Sequence, residues 1–551
     1  MASASNDITF IVPGQEQPAP APRPGTRGSV KTSVRVGNER GRGTPVRVVA
    51  RPGEDVVVLS VANGPTLVLH PADARDLMLA QSASMEPPQS LPSLPPEGAG
   101  PALGGLGARP PPQSLRSLPP ERAAPASGRP GVRPTTLGEV VVPAQLGWPG
   151  LEAEATRGST RGWMGQAVLS GFEVLTGMRK DPAAKLAAAA LTKRVDARVD
   201  AGVYRLSVDA LAPLKGSGRK LDAMPAAVDG GPLLVFVHGT FSDTVGTFAK
   251  LWTLHNGAVR QLFTSYGDRV YGLDHPTLGV SPIANALTLV RALPAGARVH
   301  LVTHSRGGLV AEVLARACGG EKGPIGNDVL ALFAGDGYAE HRSDLRALVK
   351  EAQAKGLRCE RVVRVACPAR GTLLASKRLD AYLSILNWCL ELASIPVVPE
   401  VVDFLHEVAL RRAEPGELPG LEAMTPDSPV VAWLNGAADT ISGELRVIAG
   451  DLEGDSIGSW VKTLLSDAFY WTDNDLIVQT RSMYGGAPRA ETASGSGARF
   501  LLDKGGKVSH FNYFSNDRTV QAIVAALLDD SPADFAAIGP LSWAGEDASG
   551  T

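Results

Sequence analysis

Ser305 stands in the run Thr303-His304-Ser305-Arg306-Gly307-Gly308, where the β-branched stretch "ARVHLVTHS" ends and the helical pattern "RGGLVAEVLARACG" begins. A hydroxyl residue with two glycines at a strand-to-helix corner has the form of a nucleophile elbow, G-x-S-x-G, with Thr303 in place of the first glycine. The turn is tight and the helix passes close to the strand, so small neighbours are needed, and Gly307 and Gly308 supply that clearance. A serine hydroxyl is a weak nucleophile at neutral pH and needs a base within hydrogen-bond reach. Enzymes with this elbow carry the acid and then the histidine later in the chain. Beyond residue 341 the chain has two histidines, His406 and His510. His406 lies in the apolar helical stretch "VVDFLHEVAL", ahead of the last strands. His510 lies in "KVSHFNYF", just after "ARFLLD", the strand expected to close a sheet, so His510 is the expected base. The acid has several candidates: Asp451 and Asp455 directly after the strand "ELRVIAG", and Asp473 and Asp475 in "WTDNDLIVQTRSMYG".

The elements that must position these side chains follow from the hydrophobic period. From Gly231 onward, short apolar strands ("PLLVFVHG", "DRVYGLDH", "ARVHLVTHS", "RVVRVACP", "ELRVIAG") alternate with helical segments, among them one from Phe248 to Tyr266 and "IANALTLVRAL". Continuous Val/Ile/Leu strands separated by helices predict an α/β domain with a mostly parallel sheet covered on both faces. Ligands of such sheets gather at the carboxyl ends of the strands, where Ser305 falls. Between 373 and 436 the alternation is interrupted by an apolar helical insertion that predicts a cap. Its Trp388, Leu390, Leu392, Val398, Phe404 and Leu405 are suited to packing a lid or lining an acyl pocket.

The chain from Pro232 to Phe511 resembles the bacterial triacylglycerol lipase and esterase branch of the α/β-hydrolases. Four motifs carry the likeness: "VFVHGT", "THSRGG", "CPARGT" and "NDLIVQTRSM". The resemblance implies the α/β-hydrolase fold with a helical cap, and a serine carboxylester hydrolase acting through an acyl-enzyme on Ser305. It implies Asp475 as the triad acid, with Asp451 the alternative, although Leu476 replaces the glycine that follows the aspartate in those lipases. It also implies an oxyanion hole formed by the backbone N–H groups of Arg306, after the nucleophile, and Thr240, after His238-Gly239. Phe241 is the substitute donor if that loop is shaped differently, and His238 and His304 are expected to organise the loops. No metal or organic cofactor is expected. The substrate class implied is a hydrophobic ester or lipid, with peripheral membrane contact open. Acyl transfer or thioester cleavage with the same triad, a catalytically inactive scaffold, and a phospholipase-type effector in bacterial conflict are the alternatives.

The bulk numbers set limits on partners. With 551 residues the chain is too long for one compact core. The apolar fraction is 44% and the charged fraction 20%, both ordinary for a globular protein. A net charge of -2 gives no electrostatic case for nucleic acid. The four cysteines, Cys318, Cys359, Cys367 and Cys389, match no zinc or redox spacing. The stretch "MASASNDITFIVPGQ" lacks the form of a Sec signal, and no apolar run reaches the roughly 18 residues of a membrane span, so a cytoplasmic location is expected, with signal-independent export left open.

Four segments are predicted. Residues 1–82 read as a small β-rich accessory module, with a hairpin around Asn63-Gly64 and a short helix from Pro71, and with a protein partner as its candidate ligand. Residues 83–134 carry "PPQSLPSLPPE" and again "PPQSLRSLPPE", so a disordered Pro/Gly/Ser-rich linker is expected. Residues 135–230 read as a helical connecting segment packed on the catalytic domain, on the apolar spacing of "GWMGQAVLSGFEVLTGM" and "DPAAKLAAAALTKRVDARV", with "GVYRLSV" as a strand. Residues 231–551 form the catalytic domain.

Overall fold

The computed structural model describes residues 7–18, 29–37, 45–62, 65–84, 139–147, 166–177, 192–319, 325–372, 379–380, 383–384, 386–387, 399–411, 418–436, 440–451, 478, 480–492, 497–504, 510–530 and 532–539. Nine strands form the larger sheet: β10 (Gly202–Arg205), β11 (Lys220–Leu221), β12 (Leu233–Val237), β13 (Val270–Asp274), β14 (Arg298–His304), β15 (Arg358–Val365), β16 (Glu444–Asp451), β17 (Ala498–Lys504) and β18 (Ala536–Ala537), in the order β11-β10-β13-β12-β14-β15-β16-β17-β18. The central six, β13 to β17, are parallel, and antiparallel strands flank them at both ends. The strands expected from the sequence all appear, including "GVYRLSV", whose Gly202–Arg205 pairs with β13.

Alternation along β12 explains why the sheet is buried on both sides. Leu233, Val235 and Val237 join one core, while Leu234 and Phe236 join the other. Helices cover both faces. Helix α2 (Thr244–Leu254), α3 (Asn256–Tyr266) and α9 (Asp517–Leu528) lie on one face; α4 (Pro282–Ala292), α5 (Gly307–Gly319) and α6 (Ala339–Ala354) lie on the other. The single helix expected from Phe248 to Tyr266 is two. His255, at φ -127° and ψ 42°, ends α2 and begins α3, and a period count cannot register one non-helical residue between two apolar stripes. Described residues of the expected cap are helical: α7 (Pro399–Arg411), the turn Pro419–Glu422 and α8 (Pro429–Asn435). Phe404 and Leu405 are buried there, whereas Trp388, Leu390, Leu392, Val398 and Cys389 lie outside the described residues.

The amino-terminal part is built differently from the sequence-based expectation. Strands β2 (Gly14–Gln17), β3 (Ser29–Val36), β9 (Gln166–Thr176), β5 (Val56–Val61) and β6 (Thr66–Leu69) form an antiparallel sheet in that order, with β8 (Gln145–Gly147) paired to β9. Strands β4 (Val46–Ala50), β1 (Ile8–Val12) and β7 (Glu139–Val141) form a second, three-stranded sheet, and helix α1 (Pro71–Ser84) packs beside it. The hairpin pairing β5 with β6 is present, its Asn63-Gly64 turn lying outside the described residues. Residues 166–176, expected to be helical, are instead the central strand of the sheet. A β-bulge explains the misreading: Ser60 pairs with Gly171 but Val61 pairs with Leu169, so inward-facing Leu169 and Phe172 sit three apart and imitate helical spacing.

That finding moves two boundaries. The β-rich module extends beyond residue 82 to take in strands at 139–176. The Pro/Gly/Ser-rich segment therefore lies in sequence between α1 and β7, two elements that pack at the same three-stranded sheet, and not between the module and a separate connecting segment; most of it lies outside the described residues. Of the helical reading for 181–199, the described part is 192–199, in which 192–196 are helical and 197–199 turn. Among the described residues no helix is long and apolar enough to cross a membrane.

Candidate active site

The order β13-β12-β14 places consecutive connections on opposite sides of β12, so the sheet has a topological switch point between β12 and β14. Carboxyl ends of strands at such a point form a crevice. Val237 and His304 are those ends here, and the loops that leave them carry His238-Gly239-Thr240 and Ser305-Arg306.

Ser305 adopts φ 51°, in the left-handed region that a side chain with a Cβ rarely occupies. Its N–H donates to Val365 O at 2.9 Å, and its own carbonyl accepts from Gly308 N at 2.9 Å, which starts α5. Strain of this kind persists where surrounding bonds over-determine it, and here it lifts the side chain out of the strand direction. Both glycines after the serine are required by space. A Cβ on Gly307 would stand 2.4 Å from Val237 O, and one on Gly308 2.4 Å from Cys367 Sγ. Thr303, by contrast, is still inside β14, paired with Arg364, where a branched Cβ suits the pleat.

His510 is brought to Ser305. Its Nε2 lies 2.9 Å from Ser305 Oγ, and both residues are buried, with 1% and 3% of their surfaces exposed. His304, beside the serine, holds the histidine's backbone: its Nε2 donates to His510 O at 2.6 Å, and its ring packs against those of His510, Phe511 and Phe514. The expectation that His304 frames the elbow thus acquires a specific contact. His406, the histidine set aside, lies on α7 of the cap.

On the neighbouring loop, Gly239 approaches so closely that a Cβ there would meet Ser305 Cβ at 2.9 Å. Phe241 sits at φ 58° and its N–H donates to Thr277 Oγ1 at 3.2 Å, which removes it as a free donor. Among the described residues the Thr240 N–H has no acceptor; its Oγ1 donates to Met424 Sδ at 3.7 Å. Arg306 is fully buried. Its guanidinium donates to Gly420 O at 2.8 Å and to Val280 O, so a charged side chain is spent on carbonyl partners while its N–H opens α5.

At this loop His238, expected to organise it, belongs to a cluster whose other members, His275, Asp274 and Asp196, sequence reasoning did not assign. His238 Nδ1–H donates to Gly239 O at 2.9 Å, and His238 Nε2 accepts from His275 N–H at 3.1 Å, which fixes a neutral imidazole. The two rings stack with centroids 4.0 Å apart. Burial pulls the pKa of His238 down and that of His275 well below the usual histidine range, with His238 and Arg306 adding to the latter. Asp274, beside them, accepts from Thr244 N–H at 2.9 Å and Thr244 Oγ1–H at 2.6 Å, tying the start of α2 to the end of β13. Asp196 collects the N–H groups of Thr277, Leu278 and Gly279 at 2.7–3.1 Å, so the loop behind Phe241 is also fixed. The signal in sequence was the "DHP" after the second parallel strand, which mirrors "VHG" after the first.

Asp475, the expected acid, lies outside the described residues, as do Asp455, Asp473 and Leu476. Asp451 is the last residue of β16, paired in register with Lys504. The chain that follows the Asp475 segment is anchored by a buried ionic triad. Glu312 on α5 bonds Arg364 of β15 at 2.9 Å and Arg489 at 2.9 and 3.1 Å, while Arg364 donates to Met483 O and Gly485 O. One carboxylate therefore joins the helix after the elbow, the strand beneath it and the 480–489 loop.

Two solved structures that resemble the chain are a Staphylococcus hyicus lipase (15% identity, covering 55% of this chain and 95% of that one, TM-score 0.33) and lipase 1 from Pelosinus fermentans (14%, 54% and 97%, TM-score 0.34). A Bacillus licheniformis lipase in its propeptide form is 16% identical over 57% of this chain, at a TM-score of 0.27; the match spans about half of that lipase, 54% of its length. No curated protein matches the chain by sequence. Residues 208–332 and 343–528, more than half of the chain, match a family described as a domain of unknown function (DUF7379), and the chain belongs to that family.

Proposed function

We propose that the protein is a serine carboxylester hydrolase of the α/β-hydrolase type, acting on hydrophobic esters. The observation that carries this reading is His510 Nε2 standing 2.9 Å from the Oγ of a serine held at φ 51° on the switch point of a parallel sheet. In the proposed reaction Ser305 Oγ attacks the ester carbonyl while His510 Nε2 takes its proton. The tetrahedral oxyanion is received by the N–H groups of Thr240 and Arg306. His510 then gives the proton to the departing alcohol, and water repeats the sequence to release the acid from the acyl-enzyme. Asp475 is the proposed acid that orients the imidazole, with Asp451 as the alternative.

Hydrolysis of p-nitrophenyl esters across a series of acyl lengths tests the reading. The wild type is expected to turn over and Ser305→Ala to be inert. Asp475→Asn is expected to cost about 10⁴-fold in kcat, as for an imidazole left in the wrong tautomer, and Asp451→Asn to cost little. If Asp451→Asn were the crippling change, the acid is misassigned; if no ester in the series were cleaved by folded wild type, the hydrolase reading fails.

A further inference from the structure

Among the described residues strand β6 is the last in its sheet, and one of its backbone edges has no strand partner there. Exposed edges of this kind invite pairing and are normally covered. Here the cover comes from the cap. Val68 N–H donates to Ser384 Oγ at 3.0 Å, and His70 N–H, two residues on along the same edge, donates to Asp380 Oδ2 at 2.9 Å. Ser384 Oγ donates in turn to Asp380 O at 2.8 Å, so the two acceptors are set one helical turn apart. Beside this polar clasp is an apolar seam: Val56, Val58 and Val68 of the sheet pack with Ala409 and Leu410 of α7, all buried.

The opposite side of α7 reaches the oxyanion loop. Phe404 lies five and six residues before Ala409 and Leu410, roughly across the helix from them at 100° per residue. Its ring meets that of Phe241 edge-on, with centroids 6.0 Å apart. Helix α7 thus touches both the amino-terminal sheet and the loop that bears Thr240, and Ser305 and His510, across that loop, are 3% and 1% exposed. At 3% exposure Ser305 is closed to an ester, and movement of the loop that bears Thr240 or of what packs on it is the route to Oγ.

We propose that the amino-terminal sheet is a latch on the cap: the β6 edge and the β5–β6 face hold α7 down on the oxyanion loop, and opening of that seam gates access to Ser305. The gating rests on Ser305 as the site of chemistry, but the seam itself does not depend on that assignment.

The test uses the full chain and two seam variants, neither touching the site. Ala409→Glu drives a charge into the apolar seam, and Asp380→Ala combined with Ser384→Ala removes the clasp. Access is read from the rate at which iodoacetamide alkylates the thiol introduced by Ser305→Cys, followed by peptide mass spectrometry, a readout that requires no catalysis. Of the native thiols, burial pushes Cys318 and Cys367 up to about 12 and Cys359 well above its usual range, and Cys389, outside the described residues, is replaced by Cys389→Ser throughout. Alkylation is expected to quicken by about tenfold or more in both seam variants, the scale of losing two ordinary hydrogen bonds. Unchanged or slower alkylation in variants that still melt cooperatively overturns the latch. Should Ala409→Glu fail to fold, the clasp variant decides alone. Fluorophosphonate labelling of the same variants with Ser305 intact separates the two ideas. Faster alkylation with no labelling of any form keeps the latch and removes the hydrolase reading; labelling of wild type with unchanged alkylation does the reverse.

Discussion

His510 Nε2 and Ser305 Oγ lie 2.9 Å apart across 205 residues of sequence, joined because the serine ends β14 and the histidine follows β17 in one parallel sheet. The histidine's backbone is fixed by the residue next to the serine, His304, so the two loops register against each other directly. His510→Gln keeps a polar side chain but no base. Its kcat is expected to fall by about 10⁴-fold or more, with KM little changed, measured on the best p-nitrophenyl ester. A loss of under tenfold would mean that His510 is not the base.

Gly239 is where the proposed oxyanion loop passes Ser305, the proposed nucleophile. Gly239→Ala sets a methyl 2.9 Å from Ser305 Cβ and 3.1 Å from His304 Nδ1, so the loop must retreat. Misplacing donors by this much is expected to cost about 10²-fold in kcat while the thermal midpoint moves by only a few degrees. Steady-state kinetics beside calorimetry separates that outcome from simple unfolding.

The Glu312–Arg364–Arg489 triad is buried, and removing its one anion leaves two guanidinium groups facing each other. Glu312→Ala is expected to destabilise the fold by about 3–5 kcal/mol, whereas replacing all three by Met or Leu is expected to be close to neutral. Urea denaturation followed by fluorescence measures both. Equal losses for the single and triple variants would show that packing volume, not charge pairing, holds the 480–489 loop.

Four histidines, His238, His275, His300 and His341, have their pKa lowered chiefly by burial. A group depressed in the folded state contributes stability that is intact above its unfolded value, near 6.5, and is lost as pH falls toward the folded value. The thermal midpoint is therefore expected to drop steadily from about pH 6.5 downward, before the carboxylates titrate. His275→Phe should blunt that decline; an unaltered slope would show that the stacked pair does not carry it.

Much of the larger, mostly parallel sheet was legible because its signals are local. A five-residue apolar run bounded by glycine or proline reads as a buried parallel strand, and Ser305 stood where such a strand gives way to a helix. His510 followed from chain order. The amino-terminal half was harder to read. Its central strand, Gln166–Thr176, is bulged, and one extra residue at Ser170 turned a spacing of two into a spacing of three between Leu169 and Phe172. Its partners, β3 and β5, lie more than a hundred residues earlier, and no local pattern encodes such pairing. The His238–His275 pairing was not assigned for a similar reason: each histidine follows a different strand, and only adjacency of β12 and β13 makes them neighbours.

The central claim, that Ser305 is an activated nucleophile, is tested most directly by fluorophosphonate labelling with the modified residue located by peptide mass spectrometry. The account predicts a single adduct on Ser305 in the wild type, none in Ser305→Ala, and sharply slowed labelling in His510→Gln. An adduct on another residue, or its complete absence from a folded protein whose cap seam has been opened, would contradict it.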